Sequence, residues 1–492
     1  MKRILAMAGA SVALLVLCVA PVTPQTGESL PAKFDLRTVN AVTPIKQQLG
    51  GTCWTHGTVA AIESNLLRSG KWQVLGHKGE PAISEYHLDW WNGFNRHKNE
   101  DVGDAAKEPS GLRVHQGGDY RVAAAYISRG DGVVLVPPGK DGSPDTKGWY
   151  KEAPPRTDPS YKRLYVRNIE WFTIGDNLEN IDTVKRRLMT EGALGTAYTV
   201  NGAFMSKDFV QYQPKDNARK PNHAVAIVGW DDTKVGGDDK KAPKPGAWLI
   251  KNSWGEVRKN KKTGKEGPVG EKGYMWISYY DKVCCRDPEM GAVSFRNVEP
   301  LAYDHIYFHD YHGWRDTLKH ISKAFNAFTA TGNQQIRAVS FYTAKDNVGY
   351  TVKIYRSFEN GKLLDEVASK TGAIQYTGFH TINLDAPVSV KAKDKFYVAL
   401  DLTGGGQAID RTSEIPVLLE QTKQPAKGPT PGKGPNGPLV LSKANPGESY
   451  YFDGSWKDLY EYRFENPNWA TFDRTANFCM KALAVNVGPD TK

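Results

Sequence analysis

The sequence predicts an α+β region followed by an antiparallel β-sandwich. Three observations carry this. Residues 31 to about 295 mix helical and strand patterns, with long insertions between them. From about 300 onward the chain is mostly short alternating stretches: "IRAVSFYTA" (336–344), "YTVKIYRSF" (350–358), "FHTINL" (379–384), "KFYVALDL" (395–402) and "FCMKALAV" (478–485). Turn signals such as "ENGK" and "KAKDK" separate them, as in a sandwich of short strands. The third observation is composition: 40% hydrophobic and 24% charged residues are ordinary for a chain that buries cores. We divide the chain into a leading segment (1–22), a first domain (31–298) and a second (299–488). The stretch "KQPAKGPTPGKGPNGP" (423–438) is too rich in Pro, Gly and Lys for regular structure and reads as a surface loop within the second domain.

The leading segment has a basic start, Met1-Lys2-Arg3, and an apolar run from Ile4 to Ala20. This is the pattern of a signal peptide, so the chain is expected to be exported, either secreted or periplasmic. A retained anchor is the alternative. Cys18 invites a lipid-anchored reading, against which stands Leu17, larger than the small residue that such a processing site requires. No later stretch is apolar for long enough to span a membrane. Without Cys18, four cysteines remain (Cys53, Cys284, Cys285, Cys479), too few for a disulfide-stapled scaffold. The net charge is +10, but Lys and Arg are interspersed with acids, and "RKNKKTGK" (258–265) lies among glycines as a solvated loop. No nucleic-acid partner is expected, and an acidic cell-surface polymer is the more natural counter-ion of an exported chain.

The stretch "QQLGGTCWTHG" (47–57) sets a cysteine at the start of a helical pattern. Val59, Ile62 and Leu66 recur at three and four residues, Gly70 closes the pattern, and Thr52 is placed to cap it. Cys53 then lies in the first turn, where free backbone N–H groups and the helix dipole favour a thiolate. A thiolate nucleophile needs a proton acceptor and a group to orient it. "NHAVAIVGWDD" (222–232) brings His223 at the head of one apolar strand, and "AWLIKNSWGE" (247–256) brings Asn252 at the end of another. If these strands are neighbours, Asn252 accepts from one ring nitrogen, the other faces the sulfur, and Trp254 covers the bond. The bland alternative is a buried cysteine and a structural histidine.

Taken together, these stretches resemble the papain family of cysteine peptidases. "FDLRTVNAVTPIKQQ" (34–48) resembles the start of the mature enzyme, "GTCWTHG" the nucleophile helix, "ISE" (83–85) the segment after it, and "QGGD" (116–119) the glycine pair that binds substrate backbone. "NHAVAIVGW" and "WLIKNSWG…GEKGYMWIS" resemble the histidine and asparagine strands. The resemblance implies a helical half and a β-barrel-like half, with Cys53 as nucleophile, His223 as base and then acid, and Asn252 as orienting group. It implies a glutamine in the oxyanion site: alignment from the left gives Gln48, the preferred candidate, and counting back from the cysteine gives Gln47 as the alternative. It also places Gly117, Gly118 and Trp254 at the substrate, with neither metal nor cofactor required.

The departures are informative. The family's usual disulfide would join positions held here by Gly50 and His115, so both partners are missing together. The interval from Cys53 to His223 is 170 residues, against roughly 130–150 in the family. Insertions near 90–115, 137–165 and 257–268 lengthen the domain and are expected to wall the cleft. About ten residues separate the apolar run from Pro31, without the family's long inhibitory propeptide, which leaves the means of silencing open.

Other clusters carry weaker signals. His56 is an alternative base or half of a Cys-x-x-His metal pair, for which no further ligands are evident. His305, His309 and His312, with Asp304 and Asp310, read as packing and surface residues rather than as a metal site. Cys479 either bridges Cys284 or Cys285, or all three are free thiols. The second domain resembles the lectin-like β-sandwich found behind papain-like peptidases in some bacteria, carried mainly by "AFTATGNQQIRAVSFYTAKDN" (327–347). Trp314, Tyr450, Tyr451, Trp456 and Trp469 are the rings available to stack on sugars, or equally to pack in the core. The leading expectation is a secreted thiol peptidase acting on peptides or proteins, with a glycan or surface ligand for the second domain. The alternatives are a thiol acyltransferase or amidase acting on cell-wall peptides, and a non-enzymatic adhesin.

Overall fold

The computed structural model describes residues 29–103, 110–136, 148–236, 242–259, 264–418, 437–464 and 474–488. The leading segment (1–22), residues 423–436 and Trp469 lie outside the described residues. Ala32–Lys492 forms one unit and Met1–Pro31 another. All the described helices and strands belong to the first of these.

Helices gather early in the unit. The helix Cys53–Arg68 is buried along almost its whole length up to Leu66, which explains the weak one-sidedness of its apolar pattern. Its chain turns at Gly70, whose φ of +69° suits glycine. Shorter helices, Glu85–Trp91 and Tyr120–Ser128, begin with side-chain caps from Ser84 and Asp119. The Cys53–Arg68 helix lies on the strands Leu194–Tyr198, His223–Asp231 and Ala292–Pro300. The strand His223–Asp231 is buried at every position but the last, so it reads as an unbroken apolar run rather than an alternation.

These strands belong to a twelve-stranded sheet that does not stop at the expected domain border. Its order runs from His305–Tyr307 through Met480–Asn486, Gln334–Thr343, Gly378–Val390, Leu164–Phe172 and Ala292–Pro300. It continues through Leu194–Tyr198, His223–Asp231, Ala247–Lys251 and Tyr274–Ser278 to Val210–Gln211, with Lys33–Asp35 added beside His223–Asp231. The join between the halves is the pairing of Gly378 with Glu170, Phe379 with Ile169 and His380 with Asn168. One apolar core accordingly holds Ile169, Val293 and Phe295 together with Ala338, Phe379 and Leu483.

The expected sandwich is present. A second sheet, ordered Lys362–Ile374, Val348–Glu359, Lys395–Leu402, Lys323–Thr329, Ser449–Phe452 and Trp456–Asp458, is antiparallel throughout. Between the sheets, Val339, Phe341 and Ala482 pack with Val352, Ile354, Val398 and Leu400. Three of the rings considered for sugar stacking are engaged in packing instead. Tyr450 stacks on Phe325 at 4.6 Å with Trp456 edge-on at 4.8 Å, and Trp314 lies under the Arg121 guanidinium at 4.4 Å.

The bridge between the halves is not a disulfide. Cys53, Cys284, Cys285 and Cys479 are buried thiols, none of them in a disulfide. Cys284 and Cys285 hold their sulfurs 3.9 Å apart beside Thr196, whereas Cys479 is pinned through its N–H to the Ala408 carbonyl in the second half. The halves are joined by backbone pairing and a shared core.

Cutting the chain after residue 298 would therefore strip the Leu164–Phe172 strand of its neighbour and expose Ile169. Calorimetry of the intact chain is expected to give a single cooperative transition, and the 31–298 fragment is expected to be insoluble or to melt at least several degrees lower. Two well-separated transitions in the intact chain would contradict this.

Candidate functional site

The antiparallel pairing of Ala226 with Lys251 and Ile227 with Ile250 sets the head of one strand beside the tail of the next. His223 and Asn252 meet there. The imidazole Nε2 lies 2.8 Å from Asn252 Oδ1, which also accepts from the Ser253 N–H at 2.7 Å. A carbonyl oxygen can only accept, so Nε2 carries the proton and Nδ1 keeps its lone pair. That Nδ1 is buried and without a hydrogen-bond partner. Trp254 stacks on the ring at 4.5 Å. Burial pushes the His223 pKa down to about 4, only partly opposed by the Asn252 bond.

Cys53 is the first residue of its helix. Thr52 does not cap it through its side chain: its hydroxyl donates to the Leu49 carbonyl at 2.9 Å, within the preceding turn. One turn into the helix, Gly57 allows close approach to the histidine strand. A Cβ on Gly57 would stand 2.4 Å from the Tyr120 hydroxyl and 3.4 Å from the Val225 carbonyl oxygen. The Tyr120 hydroxyl itself lies 2.9 Å from that oxygen. The first turn of the helix and the first residues of the strand thus share one end of the interface. His56 is turned elsewhere, with Nδ1 2.8 Å from the Thr52 carbonyl oxygen, and burial lowers its pKa.

A buried charge network, which sequence reasoning missed, braces this helix. Lys46 Nζ lies 2.7 Å from both Glu63 and Glu85, Thr43 donates to Glu63, and Lys251 donates to Thr43. Burial draws the Lys251 pKa down to about 8. The available signal was Glu63, an acid set among Val59, Ile62 and Leu66 on the buried length of the helix.

The two glutamine candidates separate. Gln48 is buried, takes a hydrogen bond from the Ser253 hydroxyl at 2.7 Å, and donates to the Gly50 carbonyl at 3.0 Å. Gln47 is exposed and contributes a backbone bridge to Trp254. Gly50 and His115 lie against each other, joined by the Gly51 N–H on the His115 carbonyl at 2.7 Å. His115 is further held by Asp89 at 2.5 Å, so hydrogen bonds stand where the family's disulfide would be.

Gly117 has φ +96°, and at Gly118 a Cβ would meet the Trp54 ring at 2.5 Å. The Gly118 carbonyl is already occupied: it accepts from the backbone N–H of Leu418 at 3.1 Å. The Cys53 thiol donates to the carbonyl of the same residue, at an S···O distance of 3.6 Å, across 365 positions of sequence. Beside this contact lies a cavity of ≈ 770 Å³, lined by Lys220, Pro221, Met290, Arg315, Pro416 and Leu418 among others. The insertions behave unequally. Residues near 99–101 dock on the second half, where Asp101 accepts from Ser442 and Lys443, while Val257–Lys259 and Glu266–Pro268 pair antiparallel as a separate two-stranded sheet.

Of the three grouped histidines, His305 and His309 lie against Tyr307 and Phe328. His312 stands 3.8 and 3.7 Å from Asp101 and Asp410, the one His/carboxylate group with ion-holding spacing among the described residues.

Residues 30–77 and 144–290 match the model of papain family cysteine proteases, and residues 306–484 match that of a lectin-like domain. A probable cysteine protease of Arabidopsis thaliana is 26% identical over 56% of this chain, and cathepsin K of Gallus gallus 28% over 53%. The aligned part spans 65% and 63% of those proteins, a little under two-thirds of their length. Among solved structures, the clostridial cysteine protease Cwp84 after propeptide cleavage superposes with a TM-score of 0.66 at 23% identity, over 92% of this chain and 99% of that one. A second structure, of the cysteine protease and lectin-like domains of Cwp84 from Clostridium difficile, gives 0.65 at 22%, over 94% and 90%. The two-part fold is therefore that of Cwp84.

Two outcomes follow from this geometry. Gly57→Ala should cost about 1–3 kcal/mol of stability through overpacking against Tyr120, measurable by chemical denaturation. The second concerns pH. The unfolded chain binds a proton at His223 near 6.5 while the folded chain resists until about 4, so this residue's contribution to stability falls as pH drops through that window. Between pH 7 and pH 5 the His223→Asn chain should lose less stability than its parent, by about 2 kcal/mol. Parallel slopes would contradict the burial of a neutral imidazole.

Proposed function

We propose that this chain, which joins a papain-family cysteine protease region to a lectin-like domain, cleaves peptide bonds with Cys53 as nucleophile and His223 as the group that takes and returns its proton. One observation carries the reading: an imidazole tautomer fixed by Asn252, with its other nitrogen bare and buried, at the head of the strand on which the helix beginning with the cysteine packs. In the proposed sequence, Nδ1 accepts the thiol proton and the sulfur attacks the scissile carbonyl carbon. His223 then protonates the leaving amine, and water releases the acyl group from sulfur. Gln48, together with the Cys53 backbone N–H, is the donor pair for the oxyanion. The burial of its side chain beside Ser253 favours it over Gln47. Gly118 binds extended backbone through its peptide groups, and its carbonyl is already satisfied by a peptide N–H in this structure. Export rests on Met1-Lys2-Arg3 and the apolar run to Ala20. That a protein of the same fold is described as surface layer associated is in keeping with it. The lectin-like domain is read as holding the peptidase at a glycan or surface ligand.

Assay of a fluorogenic peptide library should find hydrolysis that Cys53→Ala abolishes. His223→Ala is expected to lower kcat by about 10²–10⁴-fold, and Asn252→Ala by less, since it orients rather than transfers the proton. Activity should follow a bell-shaped pH profile whose limits belong to the thiol–imidazole pair. Full turnover in Cys53→Ala, or rates that climb without limit at alkaline pH, would overturn the assignment.

A further inference from the structure

We infer that Ile415–Leu418, supplied by the lectin-like half, is a built-in occupant of the substrate groove, and that the chain as folded is a closed form whose site opens when this segment leaves. The inference rests on the peptidase reading for the identity of the groove.

The segment engages the groups that an extended peptide would need. Its Leu418 N–H takes the Gly118 carbonyl, and its Leu418 carbonyl takes the Cys53 thiol hydrogen. A substrate strand and this segment cannot hold the same acceptor at Gly118 together. Ile415 and Leu418 are buried in the core that contains Cys53, Trp54 and Met290, and Cys53 itself has no exposed surface. The occupant is a short run of branched aliphatic residues around a proline, "IPVL". Pro416 fixes its own φ and holds Ile415 extended, so little conformational entropy is lost in docking.

The segment is rooted as well as docked. Just before it, Ser413 pairs with Val440 and Glu414 with Leu439, and the Ile415 N–H donates to the Pro438 carbonyl at 3.0 Å. Arg315 clamps the same root, donating to the Ser413 hydroxyl at 3.0 Å. Gly437 lets the two arms close: a Cβ there would lie 2.2 Å from the Ile415 carbonyl oxygen. On the protease side, the Gly111 N–H donates to the Leu439 carbonyl at 2.6 Å. A segment anchored in this way competes at an effective concentration of order millimolar, above that of most free peptides.

The test compares the rate of Cys53 alkylation by iodoacetamide, followed by mass analysis of the Cys53 peptide, in the parent chain, Leu418→Asp and Gly437→Ala. Leu418→Asp places a charge in the apolar site. Gly437→Ala pushes the root of the segment aside without touching the groove, and decides the matter if the first variant fails to fold. Labelling is expected to rise by about tenfold or more in each folded variant, and the synthetic hexapeptide of residues 413–418 (SEIPVL) should slow it again. Unchanged labelling in folded variants, or no protection by the hexapeptide, would overturn the proposal. Hydrolysis in the same samples separates the two readings. Faster labelling without any peptide cleavage would sink the peptidase assignment and leave the occupant standing. Cys53-dependent cleavage with equal labelling in all three chains would do the reverse.

Discussion

The seating of one helix on one strand is the constraint on which the rest of the site depends. Cys53 and His223 are 170 residues apart in sequence, and the packing of the helix on the strand is what brings their elements together. Gly57 permits the contact, because any side chain there would collide with Tyr120 before the helix reached the strand. The Lys46, Glu63 and Glu85 network then prevents the helix from sliding, since moving it would strand buried charges without partners. Asn252 and Trp254, just past the end of the next strand, complete the arrangement by fixing the ring's tautomer and stacking on its face.

The same sheet that carries the histidine extends without a break into the sandwich. The lectin-like half is thus more than a passenger: its strands supply the neighbours of Leu164–Phe172, and its loops reach the cleft at Leu418. A fold of this kind couples the state of the groove to the half that would meet a surface. Backbone ladders and a common core do the work for which a disulfide between Cys479 and the Cys284–Cys285 pair was one candidate. Thiols buried beside Thr196 and at Ala408 have no route to one another.

Much of the site was legible because its signals are local. A glycine-flanked helix start, an unbroken apolar run headed by His223 and a strand ending at Asn252 each show in a window of about ten residues. The sandwich was legible for the same reason, since alternation marks each strand separately. The cap at Thr52 was misjudged because its hydroxyl has a closer acceptor in its own turn, the Leu49 carbonyl, which residue type alone does not disclose. The sequence favoured Gln48 over Gln47 by alignment alone, because adjacent residues differ only in which way they face.

By itself, then, the sequence singled out the candidate residues Cys53, His223 and Asn252, their order, and the helix or strand at which each sits. All of these depend on periodicity and on neighbours within a few positions. Only the tertiary structure decided that one sheet runs through both halves, that Gln48 turns inward, and that Leu418 fills the groove beside Cys53. The physical reason is distance along the chain. "IPVL" has the composition of any buried tetrapeptide, and its meaning comes from a contact made across 365 residues, which no local pattern encodes.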